Sequence, residues 1–140
     1  MQPPQALSED ELRLLHRLAA DAVAGQPEAE AVLAGVRDEA PLGVLAPRGA
    51  PLARHYDELA EATRSVRGAA ARGYADTLYR LLSYHAELLR QALELAARWW
   101  LSERLARERR RLDGLGVPGA KLREFEQELR ALLELEYDLR

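Results

Sequence analysis

The chain of 140 residues contains no Cys, no Ile and no Asn, and a single Met, Lys and Phe. Without Cys there can be no disulfide, thiolate metal site or Cys nucleophile. Without Ile, and with little Val, strand-forming residues are scarce, which points to an all-α fold. No apolar run approaches the roughly 20 residues that span a bilayer. Residues 1–6 lack the basic and apolar stretches of a signal peptide, so a cytoplasmic location is expected. The net charge of −3 provides no overall attraction to nucleic acid or anionic lipid. Nineteen Arg stand against the single Lys121, which fits a GC-rich coding bias or a thermophilic source.

Leu and Ala dominate what is present. The length suits one domain, 1–140, able to bury around 70% of its unfolded surface. Residues 1–7 read as a disordered tail. Ser8-Glu9-Asp10-Glu11 then forms a capping box, in which Ser8 accepts from the Glu11 amide and Glu11 reaches back. A first helix runs to about Ala24 and stops at Gly25, with Leu12, Leu15, Ala19 and Ala22 inside and His16 beside them. Pro27 suits the first position of a second helix over 27–39, burying Ala31, Val32 and Val36. Residues 8–39 are therefore expected to form an N-terminal helical hairpin.

Residues 40–51 hold Pro41, Gly43, Pro47, Gly49 and Pro51 and read as a helix-breaking loop. Leu42, Val44 and Leu45 give that loop an apolar content suited first to packing over the bundle, with a docking segment or lid as the alternative. A third helix over 52–67 presents Leu52, Tyr56, Leu59, Thr63 and Val66 on one face, and Gly68 and Gly73 form a weak joint after it.

No Pro or Gly interrupts 74–111, which predicts one long central helix of about 57 Å at 1.5 Å per residue. Tyr74, Leu78, Leu81, His85, Leu88, Ala92, Leu95 and Trp99 make one stripe. Leu82, Ala86, Leu89, Leu93, Ala96 and Trp100 make a second beside it. The combined arc is wider than a coiled-coil seam and must be covered by several helices. The short turn 113–119 should send a fifth helix, 120–139, back antiparallel to the end of the fourth. Its apolar face is Leu122, Phe125, Leu129, Leu132 and Leu133, with Leu135 and Leu139 to one side. The expected architecture is an all-α five-helix bundle with a C-terminal helical hairpin whose tip projects. Helices 3–5 fill 52–140.

Four constellations bear on chemistry. Residues 98–111 carry six Arg and two Glu beside Trp99 and Trp100. Arg is a good phosphate ligand, and flanking aromatics can stack on bases. Acids of the last helix, Glu124, Glu126, Glu128, Glu134, Glu136 and Asp138, are placed to neutralise that cluster.

The three histidines, His16, His55 and His85, fall on three helices without H-E-x-x-H or E-x-x-H spacing, so no metal site is expected. His85 sits on the inner stripe and needs a hydrogen-bond partner there. Leu81-Leu82-Ser83-Tyr84-His85-Ala86 resembles the globin segment that carries the haem-ligating His, which makes His85 the residue on which a cofactor would centre. That family's haem-contacting Phe has no counterpart, Phe125 being the only Phe.

Leu15-His16-Arg17-Leu18-Ala19-Ala20 resembles a histidine phosphotransfer motif, with Ala19-Ala20 standing where that family has Lys-Gly. Glu58-Leu59-Ala60-Glu61 resembles the ExxE half of the Mg²⁺ motif of all-α nucleotide pyrophosphatases, but no ExxD follows.

With no catalytic constellation, no catalytic residue and no cofactor are assigned. The expected function is a non-enzymatic helical protein–protein interaction module: an adaptor, a regulator or an assembly subunit. Arg104, Arg107, Arg110, Arg111, Leu42 and Leu45 are its expected partner-binding residues, and the protein partner is unidentified. The wide apolar arc predicts a homo-oligomer, most simply a dimer through Leu82, Leu89, Leu93, Ala96 and Trp100. Nucleic-acid binding through the Arg-rich end of the long helix is the first alternative. A haem- or metal-binding bundle centred on His85 is the second.

Overall fold

The computed structural model describes residues 7–137, with side chains to residue 135. The expected disordered tail, apart from Leu7, lies outside the described residues, as do the side chains of Glu136, Asp138 and Leu139. The fold is an all-α bundle. Five helices are α1 (Glu9–Ala24), α2 (Gln26–Arg37), α3 (Leu42–Ala62), α4 (Ala69–Arg98) and α6 (Gly116–Tyr137), and a short α5 (Glu103–Arg110) stands between the last two.

Helix α4 is central and touches every other helix, with α3 covering most of its length. The core is mostly Leu and Ala. Leu15, Ala19 and Ala22 of α1, Val32 and Leu33 of α2, Tyr56 of α3, Leu78, Leu82 and Leu89 of α4, and Leu122 and Leu129 of α6 are fully buried. In α2 the inner set is Ala29, Val32, Leu33 and Val36, while Ala31 faces out, one position off the expected stripe.

Ser8 caps α1 as expected, its Oγ accepting from the Glu11 amide at 3.4 Å. Glu11 does not reach back. Its carboxylate instead accepts from the Gly68 amide at 2.9 Å, capping the start of α4 from another helix. A Cβ on Gly68 would lie 2.4 Å from Glu11 Oε1, so glycine is what admits this carboxylate. Glu30 of α2 does the same for α6, accepting from the Leu115 amide at 3.1 Å beside Gly114, whose φ of +66° favours glycine. Anionic groups at helix N-termini offset unpaired amides and the helix dipole.

Four expectations are corrected. The segment 40–51 is not a loop, because α3 begins at Leu42 and runs through Pro47 and Pro51. Pro41 is the extended residue before it. An interior proline costs a helix about 3 kcal/mol by removing one ladder bond and crowding the carbonyl four residues back. Both prolines lie on the exposed side, where the orphaned carbonyls of Gly43 and Pro47 meet water. The opposite side, Leu45, Gly49, Ala53, Tyr56 and Ala60, is buried at helical spacing, and that packing holds the helix together. Gly49 permits a close approach on that side: a Cβ there would be 3.1 Å from Val32 and 3.2 Å from Leu93.

The predicted helix over 74–111 is broken. Helix α4 ends at Arg98, Trp99–Leu101 form a 3-10 turn, and Ser102 is extended at φ −157° and ψ 156°. Ser102 Oγ accepts from the Leu105 amide at 3.1 Å and so starts α5. Helix α5 folds back beside the last turns of α4, and no tip projects: Leu105 and Glu108 line a groove with Gln91, Leu95 and Arg98.

The C-terminal helix does not clasp the end of α4. It starts at Gly116, with Pro118 in its first turn, and runs antiparallel along the N-terminal half of α4. The Gly119 carbonyl lies near the Gln26–His85 pair, and the Phe125 ring is 6.3 Å from that of Tyr74. Its other neighbour is α1, whose main contact is with α6 and not with α2. Helices α1 and α2 therefore meet at Gly25 without lying side by side as the expected hairpin.

Candidate interaction surface and central polar network

Two places hold the polar and aromatic residues singled out in the sequence. The first is the corner between α4 and α5. Trp99 turns inward beneath a guanidinium, with Arg109 Cζ 3.9 Å from its ring centre. Arg109 is buried, with 1% exposure. It donates to the Glu39 carboxylate, while its Nε has no hydrogen-bond partner among the described residues. Glu39 itself has φ +66°, a conformation costing a non-glycine residue roughly 1 kcal/mol. This corner thus joins α5 to the end of α2 through one charged pair.

Trp100 turns the other way and is 68% exposed, next to Leu101 at 57%. The Trp100 indole N–H donates to the Ala97 carbonyl at 3.1 Å, so its polar edge is satisfied within the chain and the bare ring faces solvent. Arg98, Arg104, Arg107, Arg110 and Arg111 are exposed around this corner. Arg98 pairs with Glu94 at 3.3 Å and Arg104 with Glu108 at 3.7 Å, both exposed i,i+4 contacts worth a few tenths of a kcal/mol. Among the described residues the last helix does not neutralise the cluster: Glu124, Glu126, Glu128 and Glu134 make no ion pair with it, and the helix runs along the N-terminal half of α4. Its Glu126 is instead buried against α1, 3.5 Å from His16, and accepts from Arg130.

The structure separates the predicted site residues. Arg104, Arg107, Arg110 and Arg111 share the corner with Trp100. Leu42 is exposed at the start of α3, but Leu45 is buried, because α3 is a helix with Leu45 on its inner side. Leu45 is therefore a core residue and not a partner contact. Of the expected dimer residues, Leu82 and Leu89 are fully buried under the protein's own helices and Leu93 and Ala96 are half-buried. Helix α3, extended by the residues expected to be a loop, supplies the cover that a second copy was expected to provide. Trp100 alone of that set stands open.

The second place is the centre of the bundle. His85 is fully buried. Its Nδ1 is 2.7 Å from the Leu81 carbonyl, which can only accept, so Nδ1 carries the proton and Nε2 is an acceptor. The Gln26 side-chain amide faces that Nε2 at 3.2 Å and donates also to the Gly119 carbonyl at 3.0 Å. Gln26 Oε1 in turn accepts from Arg123 at 3.2 Å. Tyr56 lies 5.1 Å from the imidazole, ring to ring, and its hydroxyl donates to the Ala22 carbonyl at 2.8 Å.

Burial lowers the pKa of His85, and it pushes the Tyr56 phenol up. Both ring nitrogens of His85 are occupied within the fold, so ligation of haem or a metal would require this network to open. Among the described residues no cluster of three His, Cys, Asp or Glu side chains is placed to hold a metal ion. His16 and His55 lie beside Glu126 and Asp21 respectively, each 3.5 Å away.

Sequence reasoning missed Gln26, whose role depends on contacts with α4 and α6. It also missed Arg109, hidden among five other Arg. Ser102-Glu103, a capping residue followed by an acid, was the available signal for the break. No helix of the described residues is long and apolar enough to cross a membrane. Comparison of the chain with protein-family models, with characterised proteins and with solved structures gives no match.

Proposed function

We propose that this protein is a non-enzymatic helical interaction module whose working surface is the α4–α5 corner. The observation that carries the proposal is Trp100 beside Leu101, both exposed on the turn that leads into α5, whose Arg104, Arg107 and Arg110 are exposed as well. A rigid aromatic anchor with its N–H already satisfied, next to Arg, has the chemistry of an interface hot spot. The partner it fits is a protein with an apolar socket for the indole and acidic residues around it. The same corner would mediate self-association if the chain is a homo-oligomer, since Leu82 and Leu89 are withdrawn into the core.

A photo-crosslinking residue at position 101 tests this in cells, with the same residue at the still more open Leu135 as control. The expected result is a discrete protein adduct from 101, absent from 135 and weakened by Arg104→Glu with Arg107→Glu. Identical adducts from both positions, or none from 101, would end the proposal. Scattering mass on a sizing column decides whether the adduct partner is a second copy.

One observation favours a second reading, nucleic-acid binding: none of the described acids of α6 pairs with the Arg cluster. It predicts affinity that falls steeply with salt and is lost on reversal of Arg107 and Arg110 to Glu.

A further inference from the structure

Far from the Trp100 corner, where α3 turns into α4, lies a cleft of about 570 Å³. From Arg72 to Arg98 the intervening helix spans roughly 39 Å at 1.5 Å per residue, so the two surfaces are independent. The floor of the cleft is apolar, made by Val66 and Ala75, both buried. Its walls carry Arg64, Arg67, Arg72, Asp76 and Tyr79.

The polar groups of this cleft are almost all donors. Arg64 donates to the Tyr79 hydroxyl oxygen at 3.2 Å and stacks 5.3 Å from that ring's centre, and Glu61 steadies it from outside at 3.4 Å. The hydrogen bond to Tyr79 raises the pKa of Arg64 further. Because Tyr79 accepts from Arg64, its own O–H is left to donate into the cleft. Thr63 contributes no donor, since its hydroxyl donates to the Ala60 carbonyl at 2.6 Å. Arg67 and Arg72 have no carboxylate within ion-pair distance among the described residues. Against the three guanidinium groups stand Asp76 in the cleft and Glu61 paired with Arg64 at its edge, which leaves a net charge of +1.

We propose that this cleft binds a small organic phosphate, with Arg67, Arg72 and the Tyr79 hydroxyl on the phosphate oxygens and the apolar floor under the organic body. Planar guanidinium forks match the geometry of phosphate oxygens and bind them by charge-assisted bonds. The α4 N-terminus is not the ligand site, because Glu11 already occupies the Gly68 amide. The size of the open cleft suits a molecule of modest length and not a polymer, which needs a long basic track.

Amide-resolved NMR titration of the full chain with phenyl phosphate, inorganic phosphate and phenol tests the assignment. Phenyl phosphate should give saturable shifts confined to residues 63–79, and inorganic phosphate should bind more weakly. Phenol should give no saturable shift there. Arg67→Gln with Arg72→Gln should weaken phenyl phosphate by about tenfold or more, and Tyr79→Phe by less. Both arginines are exposed, so the double variant should keep the wild-type spectrum elsewhere, and single Arg67→Gln is the fallback if it does not. Absence of saturable shifts, shifts centred on the Trp100 corner, or unchanged affinity in the arginine variants would overturn the proposal. Inorganic phosphate binding as tightly as phenyl phosphate would overturn the role of the apolar floor.

Discussion

The centre of the bundle and the α4–α5 corner both bury polar groups beside an aromatic ring, and they do it in opposite ways. At the centre, His85, Gln26 and Tyr56 meet one another or backbone carbonyls, and every neighbour fits a neutral imidazole with its proton on Nδ1. At the corner, Arg109 is buried with an unpartnered Nε, its ion-pair partner Glu39 has a left-handed backbone, and Trp100 lies bare. A fully satisfied network fixes one arrangement of helices. Strained and unsatisfied groups persist only where surrounding structure holds them, and they gather at working surfaces. The contrast sets a region whose polar groups fix the fold beside the region proposed above as the working surface.

The largest expected effect comes from breaking the centre. Leu82→Ala, at a fully buried position, should cost about 2–5 kcal/mol in chemical denaturation. Trp100→Ala at the corner should change stability by less than about 0.5 kcal/mol. Equal effects would mean that Trp100 is covered in solution.

Gln26→Ala comes next, at about 1–3 kcal/mol, because it strands His85 Nε2 in the interior and removes a second bond to the Gly119 carbonyl. Retained stability would show that water enters and replaces the amide.

Arg109→Met sharpens the comparison from the corner side. The guanidinium is buried but Glu39 is 60% exposed, so its removal leaves no stranded charge. Stability should stay within about 1 kcal/mol of wild type, with Met filling the space over Trp99. A loss of several kcal/mol would make this pair a structural element equal to the central network.

The subtlest difference is in pH dependence. Burial holds His85 below its ordinary value of 6.5. As pH falls through 6.5 the unfolded chain takes up a proton that the folded chain refuses, so stability declines until the lowered folded pKa is reached. Above 6.5 the contribution of the neutral imidazole is fully present. His85→Gln should flatten this acidic slope in denaturation curves taken between pH 5 and pH 7. An unchanged slope would assign it to other groups.

Much of this was legible from the sequence, but not evenly. The Ser8 cap, the α1 face of Leu12, Leu15, Ala19 and Ala22, and the Tyr56–Leu59–Thr63–Val66 face follow from local periodicity. The inner stripes of α4 follow in the same way. The interior position of His85 was equally legible, because a 4-3 repeat places a residue on a face without reference to any partner. The Arg cluster was visible as composition, although its release from the acids of α6 was not. The basic cleft was only a scatter of Arg64, Arg67 and Arg72 around Gly68 until two helices turned it into a concave wall.

Composition and periodicity determined that this protein is all-α, that α4 is its hub and which faces turn inward, because apolar spacing acts through each helix alone. Tertiary structure decided the rest. It carried α3 through Pro47 and Pro51, since burying the Leu45–Gly49–Ala53 face outweighs two missing hydrogen bonds. It bent the long helix at Ser102 and laid α6 on the other half of α4. It also chose Glu11, Glu30 and Gln26 as caps and partners across helices. Those choices depend on contacts between residues distant in the chain, which no local pattern encodes.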